Sequence, residues 1–227
     1  MDSYPWKGKT VLIVADGEPV SQQKLRELSQ KSDVVIGVDG GTRQAYAAGL
    51  PVHLLLGDLD SIDPDLLRYL TEQETPIAKF PPEKDATDTE LALDLAKSWG
   101  ARRVYLVSGV GSRLDHSLAN LLLLTRFARY FDSLVLETAL ATVYYLSEAH
   151  SRFSFDLALG RPFSLLALTP EAAGISISGA KYLLNNATLT FGSTLGVSNE
   201  GLGGEVEVSL ESGVCALIVP GGSEDDG

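Results

Sequence analysis

The chain has little of what most cross-linked, membrane-embedded or nucleic-acid-binding architectures need. It has one cysteine, Cys215, in 227 residues. No disulfide framework can form within it and no zinc spacing exists, and the apolar run around Cys215 marks a buried structural thiol. Long apolar runs are missing. The stretch around Leu118 to Leu124 is far short of the roughly 20 residues that span a bilayer, and Met1 to Thr10 holds no apolar signal segment. The expectation is a cytoplasmic protein with no membrane contact. Positive charge is scarce: 18 Lys and Arg stand against 30 Asp and Glu, a formal net charge of −12. Phosphate backbones are gripped by clustered Lys and Arg, so general nucleic-acid binding is excluded. Any phosphate must be held locally, by a metal or by a few placed cations. Three catalytic signatures are also absent. Without Gly-x-x-x-x-Gly-Lys-Ser/Thr there is no P-loop. Without Gly-x-Gly-x-x-Gly after the first strand, a dinucleotide site is not expected, and without Gly-x-Ser-x-Gly there is no serine hydrolase elbow.

What is present reads as an ordinary globular chain, 44% hydrophobic and 21% charged, long enough for one large domain or two modest ones. Strand and helix patterns alternate through the first part. Val11 to Ala15 is a continuous apolar strand, followed by a helix from Ser21 to about Gln30, a strand at Val34–Val38, a short helix near Thr42 to Ala48 closed by Gly49, and a strand at Leu54–Leu56. Asp63-Pro64 opens a helix with Asp as N-cap and Pro in the first turn. A helix from Asp88 to Trp99, a strand at Val104–Val107, a long helix from about His116 to Tyr130 and a strand at Leu134–Leu136 follow. Wholly apolar strands alternating with helices predict a mostly parallel sheet covered by helices on both faces. The pattern changes near Ser147. Beyond it lie only short strand candidates, around Phe153–Phe155, Phe163–Leu168, Ile175–Ile177, Ala187–Phe191, Val206–Val208 and Val214–Val219, which predict a smaller all-β sandwich. The division expected is an α/β catalytic domain over 1–147 and a β-sandwich over 148–227. The small, acidic stretch from Gly221 to Gly227 predicts disorder.

Acidic residues gather where the strands end. Val38 leads into Asp39-Gly40-Gly41, and Leu56 into Gly57-Asp58-Leu59-Asp60-Ser61. Phe80 leads into Pro81-Pro82-Glu83-Lys84-Asp85-Ala86-Thr87-Asp88, and Val107 reaches Arg113-Leu114-Asp115-His116 by way of Gly109. Parallel sheets bind ligands at the carboxyl ends of their strands, so one rim would collect Asp39, Asp58, Asp60, Asp85, Asp88 and Asp115. Two carboxylates about 4 Å apart repel by roughly 4 kcal/mol at an effective dielectric near 20. Either they are spread apart or a hard divalent cation sits among them. Oxygen-only ligands suit magnesium, which brings substrate phosphates with it.

Each motif has a bland explanation beside the functional one. Asp58 and Asp60 are two apart, so in extended chain they point the same way and offer two oxygens to one ion. As turn residues they would need no ligand, but Asp63 already caps the next helix. Thr87 with Glu90 is a capping box, and Asp88 suits the helix dipole. The same helix start is also where a phosphate docks. In Gly109-Val110-Gly111-Ser112-Arg113-Leu114-Asp115-His116, Asp115 is an N-cap and the glycines a turn, or else Arg113 is a bidentate phosphate donor. Asn120 reads as a polar packing residue, and the loop from Gly196 to Gly201 as a hairpin connection.

In this order the segments resemble the thiamine pyrophosphokinase family: Asp39-Gly40-Gly41, Gly57-Asp58-Leu59-Asp60-Ser61, Glu83-Lys84-Asp85 with Thr87, Asp88 and Glu90, then Gly109, Gly111, Arg113, Asp115, His116 and Asn120. Gly179-Ala180-Lys181-Tyr182 and Gly196 with Ser198-Asn199-Glu200 extend the match into the second half. The resemblance implies an α/β nucleotide-binding domain followed by a β-sandwich, transfer of diphosphate from ATP to the hydroxyl of thiamine with release of AMP, a requirement for Mg2+, and a homodimer with sites at the subunit interface. It implies that Asp58, Asp60 and Asp88 hold the metal, that Asp39, Gly40, Lys84, Asp85, Thr87 and Arg113 handle ATP, and that Lys84, Asp115, Ser198 and Asn199 lie near thiamine. Asp58, Asp60, Asp88 and Arg113 form the catalytic set, with no general base assigned. Two departures stand out. Leu183 follows Tyr182 where many members have proline, and the only tryptophans, Trp6 and Trp99, lie in the first half, so no C-terminal tryptophan stacks on thiamine. The rivals are a pyrophosphokinase for another alcohol such as a hydroxymethylpterin, a haloacid-dehalogenase-like phosphatase, whose Asp-x-Asp normally follows the first strand, and a non-catalytic nucleotide- or thiamine-binding regulator.

Overall fold

A computed structural model describes residues 6–81, 83 and 85–221. Lys84 and the acidic tail from residue 222 onward lie outside the described residues. The chain divides into two compact units, Met1–Leu123 with Leu136–Ala139, and Leu124–Val135 with Leu140–Gly227. The sequence break near Ser147 falls inside the second unit.

The first unit alternates as its apolar pattern dictates. β1 (Thr10–Val14) is followed by α1 (Gln22–Gln30), β2 (Val34–Val38), a 3-10 turn at Asp39–Gly41, α2 (Thr42–Ala47), β3 (Leu54–Gly57), α3 (Pro64–Glu72), β4 (Ile77–Lys79), α4 (Asp88–Ser98), β5 (Arg103–Val107) and most of α5 (Leu114–Phe127). Leu136 and Glu137, the end of β6 (Ser133–Glu137), complete it. The sheet order is β6-β5-β1-β2-β3-β4, and from β5 to β4 every pairing is parallel. Successive side chains in a strand face opposite ways. Leu12, Val14 and Val35 pack with Leu25 and Leu28 of α1 and Ala45 of α2, and Leu55 packs with Leu66 and Leu70 of α3. The alternate residues of these strands face the other layer, where α4 packs on β1, β2 and β3. Helix starts are capped as their sequences direct. Ser21 Oγ accepts from Lys24 N, Asp63 from Asp65 N and Leu66 N, and Thr87 Oγ1 from Glu90 N.

The second unit is a β-sandwich. β7 (Ala141–Ser147), β8 (Arg152–Leu157), β9 (Pro162–Ala167), β10 (Glu171–Ser178), β11 (Leu184–Thr190), β12 (Asn199–Glu200), β13 (Gly204–Ser209) and β14 (Val214–Pro220) form two antiparallel layers, β12-β9-β14-β7 and β11-β10-β13-β8. Their facing side chains share one core, with Leu146, Phe163, Leu165 and Leu217 from the first layer and Ile175, Ile177, Val206 and Val208 from the second. Cys215 lies in that core, where burial pushes its thiol up to about 12, so it packs and does not react. β7 is an addition to the sequence expectation. Ala141-Thr142-Val143-Tyr144-Tyr145-Leu146-Ser147 is β-branched and aromatic, and pairs along its whole length with β14. α5 begins at Leu114, two residues before the expected start, and ends at Phe127 in a turn closed by Tyr130 N on Phe127 O. Among the described residues no helix is long and apolar enough to cross a membrane.

The 3-10 turn after β2 lies against the end of β1. A Cβ on Gly41 would stand 2.3 Å from the Ala15 carbonyl carbon and 2.5 Å from the Val14 and Ala15 carbonyl oxygens, and backbone atoms cannot yield as a flexible side chain would. Gly41→Ala is therefore expected to lower unfolding free energy by about 1–3 kcal/mol, read as a shift of the urea midpoint; an unshifted midpoint would refute this close approach.

Candidate active site

In the observed order, β1 connects to β2 on one side and has β5 on the other, so the direction of winding reverses between β1 and β5. Ligand clefts open at the carboxyl ends of strands at such a point. A cleft of about 980 Å³ lies here. Its walls are the loop after β1 (Asp16 to Pro19), Asp39 after β2, Asp58 and Ser61 after β3, the start of α4 at Thr87–Thr89, and the loop after β5 running into α5. The amino ends of two helices thus open into the cleft, presenting N–H groups and positive dipole ends to an anion.

Three carboxylates converge in it. Asp39 has a left-handed backbone, φ 40°, and its side chain lies over Gly57, where a Cβ would overlap Asp39 Oδ1 at 1.8 Å. Gly57 is itself at φ 147°, so both space and conformation demand glycine. Asp39 Oδ1 accepts from Leu59 N at 3.1 Å. Burial is the largest influence on Asp39 and raises its carboxyl to about 6. The Leu59 bond works against this, while the charges of Asp88 and Asp58 and a hydrogen bond with Asp88 add to it. Among the described residues no three His, Cys, Asp or Glu side chains are drawn together tightly enough to cage a metal ion alone. Two or three oxygen donors facing an open cleft nevertheless suit a hard cation such as magnesium, which keeps several waters and shares itself with phosphates.

The remaining rim is built from two loops joined by backbone. Gly109 N donates to Asp16 O at 3.0 Å, and Glu18 N donates to Val110 O at 3.0 Å. Gly17 leaves no room for a Cβ, which would stand 2.8 Å from Gly109 N. Gln44 Nε2 donates to Gly17 O and Ser108 Oγ donates to Gln44 Oε1. Arg113 pairs with Asp115 through two bonds, 2.7 and 3.3 Å, on exposed side chains. That pairing holds the Asp115 carboxyl below its ordinary range.

Of the residues singled out from sequence, Asp39, Asp58, Thr87, Asp88, Gly109, Gly111, Arg113, Asp115, His116 and Asn120 line the cleft, with Gly40 beside Asp16. Asp60 and Asp85 are exposed and outside that lining, and Lys84 is outside the described residues. Two expectations are corrected. Leu59 adopts φ 71° and Asp60 N turns back onto Asp58 Oδ1, so Asp58 and Asp60 are not on one side of an extended strand; Asp60 instead accepts from Ser61 Oγ. Asp115 is not an N-cap, because α5 already begins at Leu114. Asp16 and Glu18 were missed. Their signal was the end of the first apolar strand, the position at which the other acidic segments were found. In the second unit, Asn199 is buried and fully engaged: Oδ1 accepts from Tyr182 N and Glu200 N, and Nδ2 donates to Tyr182 O. Lys181 pairs with Glu200 at 2.9 Å. The motif segments around 179–182 and 198–201 therefore hold each other. Ser198, at φ 60°, donates its N–H to Ser164 Oγ.

Fold and cleft together define a two-part protein, a doubly wound α/β unit with an acidic site at its switch point and a β-sandwich unit. Residues 25–136 match the family model for the thiamin pyrophosphokinase catalytic domain, and residues 151–215 match that for the thiamin pyrophosphokinase vitamin B1 binding domain. The chain belongs to the thiamine pyrophosphokinase family. It is 29% identical over 210 residues to the thiamine pyrophosphokinase of Bacillus subtilis (strain 168), covering 92% of this chain and 98% of that one. The crystal structure of the thiamine pyrophosphokinase from Bacillus subtilis matches with a TM-score of 0.80 at 26% identity, over 95% of this chain and all of that chain. That from Geobacillus thermodenitrificans gives 0.78 at 25%, over 95% and 99%. The Candida albicans enzyme shares the fold, with a TM-score of 0.76 at 16% identity over 94% and 90%.

Because Asp39 is raised, the folded chain binds more protons than the unfolded chain between about pH 4 and 6, and Asp39 subtracts stability as pH rises through that window. In metal-free buffer at pH 7, Asp39→Asn is expected to gain on the order of 1 kcal/mol after discounting for partial exposure, with the gain vanishing by about pH 4. Urea titrations of both proteins at the two pH values test this; equal stability at pH 7 rules out the crowding.

Proposed function

We propose that the chain is a thiamine pyrophosphokinase, transferring diphosphate from ATP to the hydroxyl of thiamine to give thiamine diphosphate and AMP. The observation that carries this is the convergence of Asp39, Asp58 and Asp88 in a cleft faced by two helix amino ends, in a chain matching both family models over most of its length. The hydroxyl oxygen of thiamine bonds to the β-phosphorus, the bond from that phosphorus to the oxygen bridging to the α-phosphate breaks, AMP leaves with that electron pair, and the hydroxyl proton is released. Such a transfer depends on alignment and on neutralising charge more than on covalent help from the protein.

Asp58 and Asp88 would hold Mg2+, with Asp60, exposed beside Asp58, as the third carboxylate of the set. The ion would neutralise charge on the phosphate oxygens. Asp39 shapes the site by anchoring Leu59 N and so the Asp58 turn. Thr87 fixes the start of α4, whose positive dipole end favours an anion. Gly40 and Asp85 complete the nucleotide side. Arg113 would exchange Asp115 for a phosphate, a planar fork meeting a second bidentate acceptor, which frees Asp115 to face the cationic thiazolium. Ser198 and Lys84 are assigned to thiamine. Asn199 would serve it by holding its loop, since its amide is already engaged. A cytoplasmic location belongs to the same reading.

A homodimer is part of the proposal. Leu114, Leu118 and Leu122 stand one turn apart along α5, beside the cleft, and are 77%, 52% and 45% exposed. An uncovered leucine stripe favours a partner surface. Leu118→Glu is expected to halve the mass measured by light scattering on a sizing column; an unchanged mass counts against this interface.

The deciding assay is incubation with ATP, Mg2+ and thiamine, following AMP and thiamine diphosphate. AMP should form stoichiometrically with thiamine diphosphate. Release of inorganic phosphate without AMP would replace the reading with a phosphatase, and competition by a hydroxymethylpterin would redirect it to another alcohol. Asp58→Asn and Asp88→Asn should each lower kcat by roughly a hundredfold or more with the fold intact by circular dichroism, and Asp60→Asn should abolish Mg2+-dependent turnover. Wild-type turnover in Asp60→Asn removes that residue from the metal set.

A further inference from the structure

Asn120 lies on α5, 9% exposed, in the wall of the cleft beside the loop that follows β5. Its Nδ2 donates to Gly109 O at 2.6 Å. Gly109 is at φ 69°, a left-handed turn that takes its carbonyl out of any strand ladder, and Asn120 supplies the donor. The same peptide region is tied forward, because Gly109 N donates to Asp16 O and Glu18 N donates to Val110 O. One turn earlier on α5, Ser117 Oγ accepts from Gly111 N at 3.0 Å and lies within bonding distance of Gly111 O and Arg113 O. α5 thus grips the loop at both glycines, and the loop grips the segment carrying Asp16 and Glu18. Nothing else among the described hydrogen bonds ties Gly109 O to α5.

We propose that Asn120 is a positioning residue for the cleft, acting through the Gly109 carbonyl to fix both the β1 loop at Asp16–Glu18 and the path of the β5 loop toward Arg113. Only a side chain that donates at this length serves. Aspartate has the shape of asparagine but sets oxygen against oxygen, and alanine leaves the buried carbonyl without a donor. The chemistry of the role is therefore that of a clamp set in the wall of the cleft. Misplacing aligned groups by an ångström lowers rate by up to about a hundredfold, so the clamp matters to turnover out of proportion to its effect on folding.

The kinetic part of this inference rests on the nucleotide reading of the cleft; its structural part does not. Asn120→Ala, Asn120→Asp and Ser117→Ala are compared with Ser147→Ala, which removes a buried hydroxyl bonded to Ala128 O in the second unit at 2.9 Å. Hydrogen exchange on the full-length proteins, without ligand, should show faster exchange at the Gly109 and Glu18 amides in the Asn120 variants and, to a lesser degree, in Ser117→Ala, with no change in Ser147→Ala. Steady-state kinetics should show kcat/KM for ATP roughly tenfold to a hundredfold lower in the Asn120 variants, lowered in the same direction by Ser117→Ala, and unchanged per folded molecule in Ser147→Ala. Unchanged amide protection in Asn120→Ala overturns the clamp whatever the ligand, and wild-type ATP kinetics in folded Asn120→Ala overturns its role in turnover. If both Asn120 variants fail to fold, Ser117→Ala decides on the same two readouts. A wild-type chain that forms no AMP defeats the functional reading instead, with the exchange result still deciding the clamp.

Discussion

The crowding of like charge at Asp39, Asp58 and Asp88 is the constraint on which the rest of the first unit depends. Folding brings these carboxylates together against their mutual repulsion, and the Asp39 carboxyl is raised to about 6 by burial first and by the charges of Asp88 and Asp58 in addition. The surrounding structure must over-determine such a site, because the charges within it repel. The over-determination is visible. Asp39 is locked between a left-handed backbone, a glycine floor and the Leu59 amide. The Asp58 turn is closed on itself by Asp60 N. Asp88 sits in the first turn of a helix whose cap is satisfied by Thr87. Strain of this kind persists only where neighbouring packing holds it, and it is a property of sites built to receive something.

Glycine is what lets these segments approach. At Gly17, Gly41 and Gly57 a single added carbon would strike backbone or a carboxylate. Each sits at or just past the end of a different strand, so the rim is a place where three chain ends come nearer than ordinary side chains permit. The flat, apolar strands behind it supply the rigidity. β1, β2 and β3 are buried on both faces, and a buried parallel sheet resists the shear that would let the rim relax.

Much of this was legible in the sequence because it follows from periodicity and punctuation. Four apolar runs gave the parallel strands β1, β2, β3 and β5, Ser21, Asp63 and Thr87 gave helix starts confirmed by their caps, and the acidic clusters at strand ends gave most of the cleft wall. What escaped depends on conformation that no pattern encodes. Leu59 in a left-handed state takes Asp58 and Asp60 out of the extended chain in which their spacing would put them on one side, although leucine is a residue for which that state is least expected. β7 escaped because its partner, β14, lies some 70 residues on, and pairing at that separation leaves no local trace. Asp16 escaped because a lone aspartate after an apolar run resembles any turn residue until strand order places it at the switch point.

The two units make different demands on sequence, and this explains how the fold survives at low identity. A sandwich core needs apolar residues at alternate positions and can repack around any set of about the right volume, and the likeness to the Candida albicans enzyme at 16% identity is what such tolerance predicts. The rim has no comparable freedom. A carboxylate over Gly57 cannot become an amide without losing charge, nor Gly57 an alanine without displacing the carboxylate, and Asn120 cannot lose its donor without orphaning a buried carbonyl. Chemistry at the rim is fixed by individual atoms, while the scaffold is fixed only by pattern. Substitutions will therefore accumulate in the scaffold until they reach a side chain that holds the rim in place.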